Sequence, residues 1–152
     1  MNFLEKDLED IICKTDNQKL YERGLYINGK KLRQVRIGNY GICDLITYDR
    51  THPFALTITV YELKKDEVNE KTFSQVIKYV TGIKSYLSRR KPNLRVIYKI
   101  VLVGKTLNNY DSAAFLPSIF PSLDIYTYEY KYDGIYFVNK DNFILREEGF
   151  NG

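Results

Sequence analysis

The chain has 152 residues, of which 44% are hydrophobic and 28% are charged. This length and balance suit one globular domain with its own hydrophobic core, and they exclude a largely disordered chain. The net charge of +4 is too small to identify a nucleic-acid-binding protein by itself.

The two cysteines and the chain's apolar pattern indicate a compartment. Cys13 and Cys43 are far apart and form no C-x-x-C arrangement, which argues against a zinc site, a redox motif or a disulfide framework. The acidic, amphipathic N-terminal segment is unlike a signal peptide, and no apolar run approaches membrane-spanning length. We therefore expect a cytoplasmic protein that does not interact with membranes.

The first predicted element is an amphipathic helix. Apolar residues recur at helical spacing over residues 3–14, and Glu5 and Glu9 share one side of that helix. Acidic residues near a helix start are favourable in any case, so solvation alone explains this pair. The next segment, 20–26, is either a short helix or a loop.

Three strands are predicted next, because β-branched and aromatic residues are concentrated there between turn signals. The predicted strands span residues 31–37, 42–48 and 54–63. The connection between the last two has turn chemistry, so we expect these two strands to pair as an antiparallel hairpin.

A long helix and a buried strand follow the hairpin. Apolar spacing predicts a helix over residues 69–88, which ends before Pro92. A more polar side of this helix carries Thr72, Gln75, Tyr79, Gly82 and Tyr86. The run 94–103 is nearly all apolar or β-prone, and it predicts a strand buried on both faces and parallel to the one before the helix.

The last third of the chain predicts a short helix within residues 107–120 and a tyrosine-rich hairpin over 124–138. Residues 146–152 are predicted to be a loose tail, which leaves 1–145 as the domain. The whole order of elements predicts an α/β fold in which helices flank one mixed sheet.

Charged residues interrupt or end two of the predicted strands. Asp44 lies in an otherwise apolar strand, where a carboxylate is costly to bury unless it is paired or binds a metal. Glu62 and Lys64 end the next strand and point to the same side, since side chains alternate along a strand. If the two strands pair, Asp44 and Glu62 converge on one site.

Two neighbouring carboxylates disfavour joint ionisation, and a divalent cation reverses that cost. Mg²⁺ prefers oxygen ligands and keeps several waters, so Asp44, Glu62 and the carbonyl of Leu63 suffice to hold it, with Mn²⁺ as a substitute. Such a metal activates water and polarises a phosphoryl oxygen, while Lys64 orients that water or stabilises charge on the phosphate. A structural aspartate and a plain surface Lys–Glu pair are the alternative interpretation of the same residues.

At these residues the sequence resembles the PD-(D/E)XK nuclease superfamily and, within it, the NucS/RecB-like branch. The resemblance covers about residues 3–87. It is carried by Glu5-Lys6-Asp7-Leu8-Glu9, Gly41-Ile42-Cys43-Asp44, Tyr61-Glu62-Leu63-Lys64 and Gln75-Val76-Ile77-Lys78-Tyr79. It implies a restriction-endonuclease-like fold, metal ligands at Asp44 and Glu62, and a catalytic Lys64.

The resemblance also implies supporting residues and contains two departures. The first-helix glutamate of the family matches Glu5 best, and the family's Gln-x-x-x-Tyr pair matches Gln75 and Tyr79, with the glutamine completing the active site. Cys43 replaces the proline found before the aspartate in many relatives. Ile42 stands where NucS-like enzymes usually have an arginine, a change that bears on DNA contact and substrate preference.

The leading interpretation is a magnesium-dependent endonuclease that hydrolyses DNA through Asp44, Glu62 and Lys64. Basic residues around the end of the long helix either contact DNA phosphates or simply suit the negative end of the helix dipole. With Tyr79, the predicted nucleic-acid contacts are Lys84, Arg89, Arg90 and Lys91.

Two other interpretations stay open. The same scaffold suits a catalytically weak DNA-binding or assembly subunit, and a homodimer or an accessory protein partner is compatible with the small size. The second interpretation is a protein-interaction or structural domain with no nucleic-acid role, in which the segment from Tyr126 to Tyr136 is an exposed edge hairpin that pairs with a partner strand. The sequence leaves open whether the substrate is single-stranded, duplex or branched, and whether cleavage is internal or terminal.

Overall fold

The computed structural model describes residues 5–108 and 110–140. The helices are α1 (Glu5–Lys14), α2 (Asn17–Glu22), α3 (Glu70–Arg90) and α4 (Leu116–Ile119), with 3₁₀ turns at Gly38–Tyr40 and Ser112–Phe115. The strands are β1 (Lys30–Arg36), β2 (Ile42–Asp49), β3 (Leu56–Leu63), β4 (Glu67–Val68), β5 (Val96–Gly104), β6 (Thr106–Leu107), β7 (Leu123–Lys131) and β8 (Gly134–Asn139). The predicted tail, 146–152, lies outside the described residues.

One mixed sheet of six strands forms the centre of the domain, in the order β1-β2-β3-β5-β7-β8. The first three strands pair antiparallel, β5 and β7 add parallel to β3, and β8 closes the far edge antiparallel to β7. The predicted mixed α/β sheet, the antiparallel hairpin of β2 with β3, and the parallel strand after the long helix are all confirmed.

Helix α3 is the crossover between β3 and β5, and its start is encoded locally. The side chain of Asn69 accepts hydrogen bonds from the backbone N–H groups of Lys71 and Thr72, and the Thr72 hydroxyl accepts one from the Asn69 N–H. This reciprocal capping box satisfies amide groups that the first helical turn leaves without partners. The cap therefore fixes where α3 begins relative to the end of β3.

Hydrophobic cores lie on both faces of the sheet. Helices α1 and α2 cover one face, where Leu8, Ile12 and Leu20 pack with Tyr61, Leu63 and Tyr126. Helix α3 covers the other face, where Val76, Tyr79 and Val80 pack with Val60, Leu102 and Ile125. None of the helices within the described residues is long and apolar enough to cross a membrane.

The short helix predicted within 107–120 is present as α4, and a 3₁₀ turn capped by Asp111 precedes it. One prediction about the second half of the chain is corrected. The first half of β5 is only partly buried, because its pairing with β7 begins at Ile100 opposite Leu123. A short parallel pair, β4 with β6, was not predicted.

The segment that follows β3 is fixed against the end of β5. The carbonyl of Asp66 accepts the N–H of Lys105 at 2.7 Å, and the hydroxyl of Tyr128 donates to the carbonyl of Lys65. A Cβ added to Gly104 would lie 2.8 Å from the Asp66 carbonyl oxygen and 2.7 Å from Val68. Gly104 therefore allows the two backbones to approach closely where the chain leaves β3.

We expect Gly104→Ala to lower the free energy of unfolding by about 2 kcal/mol or more, because the new methyl group meets backbone atoms that have no room to move. Gly38→Ala is the control, since a Cβ at that position would have no atom within 4 Å and only the left-handed backbone opposes the change, at about 1 kcal/mol. Urea unfolding of both variants measures the difference. Equal destabilisation of the two would contradict the close approach at Gly104.

Candidate functional site

Strands β2 and β3 stop pairing just before Asp44 and Glu62. The regular register ends with Leu45 opposite Tyr61. The alternation of β2 also changes here, since Leu45 packs in the core under α1 and α2 whereas Cys43 packs in the core under α3. One step further along both strands, the negative charge of Asp44 is close enough to Glu62 to raise the pKa of its carboxyl group. The two carboxylates therefore lie near each other at the open end of the hairpin.

Side chains replace the backbone ladder beyond this point. The N–H of Leu63 donates to Oδ2 of Asp44 at 3.3 Å, and the thiol of Cys43 donates to the carbonyl of Tyr61 at 3.6 Å. Buried backbone groups need such partners when a ladder ends. Asp44 is therefore tied to the strand that carries Glu62, and Leu63 contributes its amide to this site.

The pairing of β2 with β1 is also irregular beside Asp44. Gln34 lies opposite Asp44 in that register and has a φ of 53°, a left-handed conformation that costs about 1–2 kcal/mol in a residue other than glycine. Its side-chain amide donates to both carboxylate oxygens of Glu9 at 2.8 and 2.9 Å, and Arg33 Nε donates to Glu9 at 2.6 Å. Helix α1 thus holds this irregular backbone in place.

Glu62 is buried without enough partners for its charge. Its residue is 6% exposed, and its Oε2 atom has no hydrogen-bond partner among the described residues. Oε1 lies 3.7 Å from the Nζ of Lys64, beyond ordinary hydrogen-bond length. An ionised carboxylate is costly to bury, so the charged form of Glu62 is disfavoured here unless a further partner reaches Oε2.

The pKa values of both carboxyl groups reflect this environment. Burial, together with the negative charge of Asp44, raises the pKa of Glu62 to about 7, although Lys64 opposes the rise. Burial also raises the pKa of Asp44, with smaller contributions from Glu9 and Glu5, while the hydrogen bond from Leu63 lowers it. Near neutral pH, protonation of Glu62 competes directly with binding of a cation.

The residue types fit a hard divalent cation. Two carboxylates, one of them with a buried unpartnered oxygen, are oxygen ligands of the kind that Mg²⁺ and Mn²⁺ prefer. In residues 5–108 and 110–140 no group of three or more His, Cys, Asp or Glu side chains is placed to hold a metal. A cation here would therefore rely on Asp44 and Glu62, with water and backbone oxygens such as that of Leu63 completing its coordination.

Glu62 and Lys64 open into a cleft of about 520 Å³. Glu5 and Gln75 line the same cleft, so four of the five predicted catalytic residues lie along one cavity, and Asp44 lies beside Glu62 behind it. The cleft also contains residues that the sequence analysis did not select. These are Asp66, Glu67, Asn69, Lys71 and Thr72.

Gln75 and Tyr79 join α3 to the turn before β2. The amide of Gln75 donates to the carbonyl of Tyr40 at 3.3 Å, and the hydroxyl of Tyr79 donates to the carbonyl of Ile42 at 2.9 Å. Tyr79 is only 5% exposed. Its role in the structure is to position the backbone just before Asp44, and little of its ring is open to a nucleic acid.

The predicted basic contacts lie away from this cleft. Helix α3 rises about 1.5 Å per residue, which puts Arg89 roughly 20 Å beyond Gln75. At that end Lys84 Nζ lies 5.3 Å from the centre of the Tyr98 ring, and the guanidinium of Arg90 lies 5.0 Å from the Tyr86 ring. Lys84, Arg89, Arg90 and Lys91 are therefore not brought together with Asp44 and Glu62.

Glu9 is the residue of this region that sequence reasoning passed over in favour of Glu5. It is 5% exposed and is bound by Arg33 and Gln34, whereas Glu5 is exposed at the mouth of the cleft. The available signal was its position between Leu8 and Ile12 on the apolar side of α1. Both glutamates face the site, one as a buried support and the other from solvent.

A second Glu-x-Lys sequence shows what burial adds. Glu129 and Lys131 end β7 with their charged atoms 3.5 Å apart, but both side chains are more than half exposed. The spacing alone is therefore common to an ordinary surface pair and to the buried pair of Glu62 with Lys64. Of these two pairs, the one at the end of β3 includes a buried glutamate, and that glutamate lies near the half-buried carboxylate of Asp44.

Fold and site together define a mixed α/β protein with a buried glutamate and a half-buried aspartate where two antiparallel strands part. Neither a family model, nor a curated protein, nor a solved structure matches the chain.

The raised pKa of Glu62 predicts that metal-free protein loses stability as pH rises from about 4.5 to about 7, because the folded state must then bury a charge. At 1.36 kcal/mol per pKa unit the loss is at most about 3 kcal/mol. Glu62→Gln removes it. We expect this variant to be more stable than the wild type by about 2 kcal/mol at pH 8 in EDTA, and nearly equal at pH 5.

Denaturant unfolding at the two pH values measures the effect, and Glu129→Gln is the matched control because it changes the exposed Glu-x-Lys pair. A stability gain that is the same at pH 5 and pH 8, or that appears equally in the control, would contradict the burial of a charged Glu62.

Proposed function

We propose that this protein is a magnesium-dependent nuclease with a restriction-endonuclease-like core, and that it hydrolyses phosphodiester bonds in DNA at the cleft of Glu62 and Lys64. The observation that carries the proposal is the buried Oε2 of Glu62, which lacks a hydrogen-bond partner among the described residues and lies near the half-buried carboxylate of Asp44. A purely structural carboxylate would have its hydrogen bonds satisfied. The unpartnered oxygen is the reason to propose a cation at this position.

Asp44 and Glu62 would hold the metal, which when bound supplies an activated water and neutralises charge on the scissile phosphate. Asp44 is kept in place by the N–H of Leu63. Lys64 stands at the mouth of the site with its ammonium 3.7 Å from Glu62, where it can contact a phosphate oxygen or orient water. Gln75 positions the turn that precedes Asp44.

A polyanionic substrate is compatible with this cleft only when a cation is present. Four acidic residues, Glu5, Glu62, Asp66 and Glu67, line it against two lysines, Lys64 and Lys71. Without metal the excess of negative charge repels phosphate, so substrate entry and catalysis depend on the same cation. The alternative, a DNA-binding or assembly subunit with little catalytic activity, shares this scaffold and differs in having no turnover.

Metal binding should be visible without any substrate. Mg²⁺ or Mn²⁺ should stabilise the wild type against thermal unfolding, by about 1.4 kcal/mol at a concentration ten times the dissociation constant. Glu62→Gln and Asp44→Asn should lose this response, while Glu129→Gln keeps it. An equal response in wild type and Glu62→Gln would place the cation elsewhere.

Cleavage should require the same residues. On a panel of single-stranded, duplex, flap and four-way-junction DNA, EDTA should abolish cleavage, and Glu62→Ala and Lys64→Ala should each reduce it by about 100-fold or more. Glu129→Ala and Lys131→Ala are the matched controls. Full activity in both site variants would overturn the assignment, and metal binding without turnover on every substrate would favour the non-catalytic subunit.

A further inference from the structure

A second and larger opening lies on the α3 face of the sheet. We call it the distal groove; it has a volume of about 930 Å³ and is bounded by β1, β2, β3, the turn 37–40 and the C-terminal half of α3. It exists because α3 packs over β3 and β5, which leaves the β1–β2 part of this face without a helix above it among the described residues. Two tyrosines on its walls, Tyr40 and Tyr86, are 46% and 53% exposed.

The distal groove is apolar inside and positively charged at its rim. Arg36, Arg50 and Arg89 line it, and none of its described lining residues is acidic. All three arginines are exposed, and none takes part in an ion pair within the described part of the chain. Arg89 donates to Ser85 of its own helix. The groove thus offers three positive charges around aromatic and aliphatic walls.

One side of α3 connects this groove with the acidic cleft. Thr72, Gln75 and Tyr79 line the cleft, and Gly82, Tyr86 and Arg89 line the groove. Steps of three and four residues place all six on one stripe of the helix. The turn that carries Tyr40 separates the two openings and packs closely on α3, since a Cβ on Gly82 would lie 2.9 Å from the Tyr40 ring.

We propose that the distal groove binds a single-stranded segment of nucleic acid, and that this segment leads along α3 into the cleft of Glu62 and Lys64. This inference rests on the proposed nuclease function for the cleavage of the strand, whereas binding of the strand does not depend on that function. Unpaired bases would stack on Tyr86 and Tyr40, and phosphates would contact the arginines. The substrate would then be an unpaired strand, or an unpaired end of a larger DNA.

The charge and shape of the groove favour this occupant over others. Binding of single strands without sequence preference combines a positive groove with exposed aromatic rings on which bases stack. In a duplex the bases face inward and cannot enter an apolar groove of this kind. A second copy of this chain would have to bring acidic groups to three arginines, whereas the phosphates of a strand supply that charge at every nucleotide.

The test is binding of a fluorescently labelled oligothymidylate of about 15 nucleotides in EDTA, measured by anisotropy over a series of salt concentrations. We expect the wild type to bind it more tightly than a blunt duplex of the same length. Tyr86→Ala should weaken binding about tenfold, because a base can no longer stack there. Arg50→Glu should also weaken binding and reduce the salt dependence, by about 0.7 in the slope of log K against log salt for each phosphate that the variant no longer neutralises.

The controls lie on the opposite face of the sheet. Tyr21→Ala removes an exposed helical tyrosine of α2, and Lys14→Glu makes the same change in net charge as Arg50→Glu. Both should bind like the wild type. Equal affinity for duplex, equal weakening in the controls, or no binding of the single strand would overturn the inference. If the protein cleaves DNA in Mg²⁺ but binds no single strand, the groove inference is overturned and the proposed nuclease function stands. If it binds the single strand but cleaves nothing, the groove inference is supported and the nuclease function is overturned.

Discussion

The constraint around which the rest of the structure is arranged is a buried glutamate, Glu62, beside a half-buried aspartate, Asp44, where β2 and β3 part. Two neighbouring carboxylates in a partly dry site repel, and each alone would prefer water. The fold tolerates Asp44 because the strand pairing ends here, which leaves the backbone N–H of Leu63 free to donate a hydrogen bond to its carboxylate. Glu62 receives no such compensation at Oε2 from the described residues, and burial and the charge of Asp44 raise its pKa to about 7. A cation bound at this oxygen would offset the free-energy cost of burying it without a partner.

Several unrelated parts of the chain hold this arrangement. Glu9 on α1 fixes the left-handed Gln34 on the β1 side of Asp44. Tyr79 on α3 fixes the carbonyl of Ile42 on the other side. Beyond Glu62, Gly104 lets the backbone after Lys64 lie against the end of β5. Burial of apolar surface alone would require neither the left-handed backbone of Gln34 on one side nor the hydrogen bond from Tyr79 on the other. Such strain is tolerated where the surrounding structure fixes it, and it concentrates at functional sites.

Much of this was accessible from the sequence, because the relevant signals are periodic and local. Alternation along β3 placed Glu62 and Lys64 on one face, and the short connection before β3 implied the pairing of β2 with β3 that brings Asp44 near Glu62. The roles of Glu9 and Gln34 were not accessible, since they depend on contact between elements separated in the sequence. Tyr79 illustrates a different limit: its spacing from Gln75 was visible, but whether its hydroxyl faces substrate or a backbone carbonyl is decided by how α3 packs on the turn before β2. The pair β4 with β6 was missed because two-residue strands carry no period.

The topology places the basic residues near the end of α3 away from the cleft, and Arg89 among them at the distal groove. Helical rise alone separates them from the cleft by about 20 Å, so they cannot act on the same phosphate as Lys64. Arg36, paired with Ile42 at the start of β2, and Arg50, just after the end of β2, line opposite ends of the groove that Arg89 reaches from α3. One stripe of α3 therefore runs from a cleft with excess negative charge to a groove with excess positive charge. Under the two proposals, these opposite potentials would separate two tasks. The groove would retain a polyanion by itself, whereas the cleft would accept it only together with a cation. Binding and cleavage would then depend on metal to different degrees, because the two charges are held on separate parts of the fold.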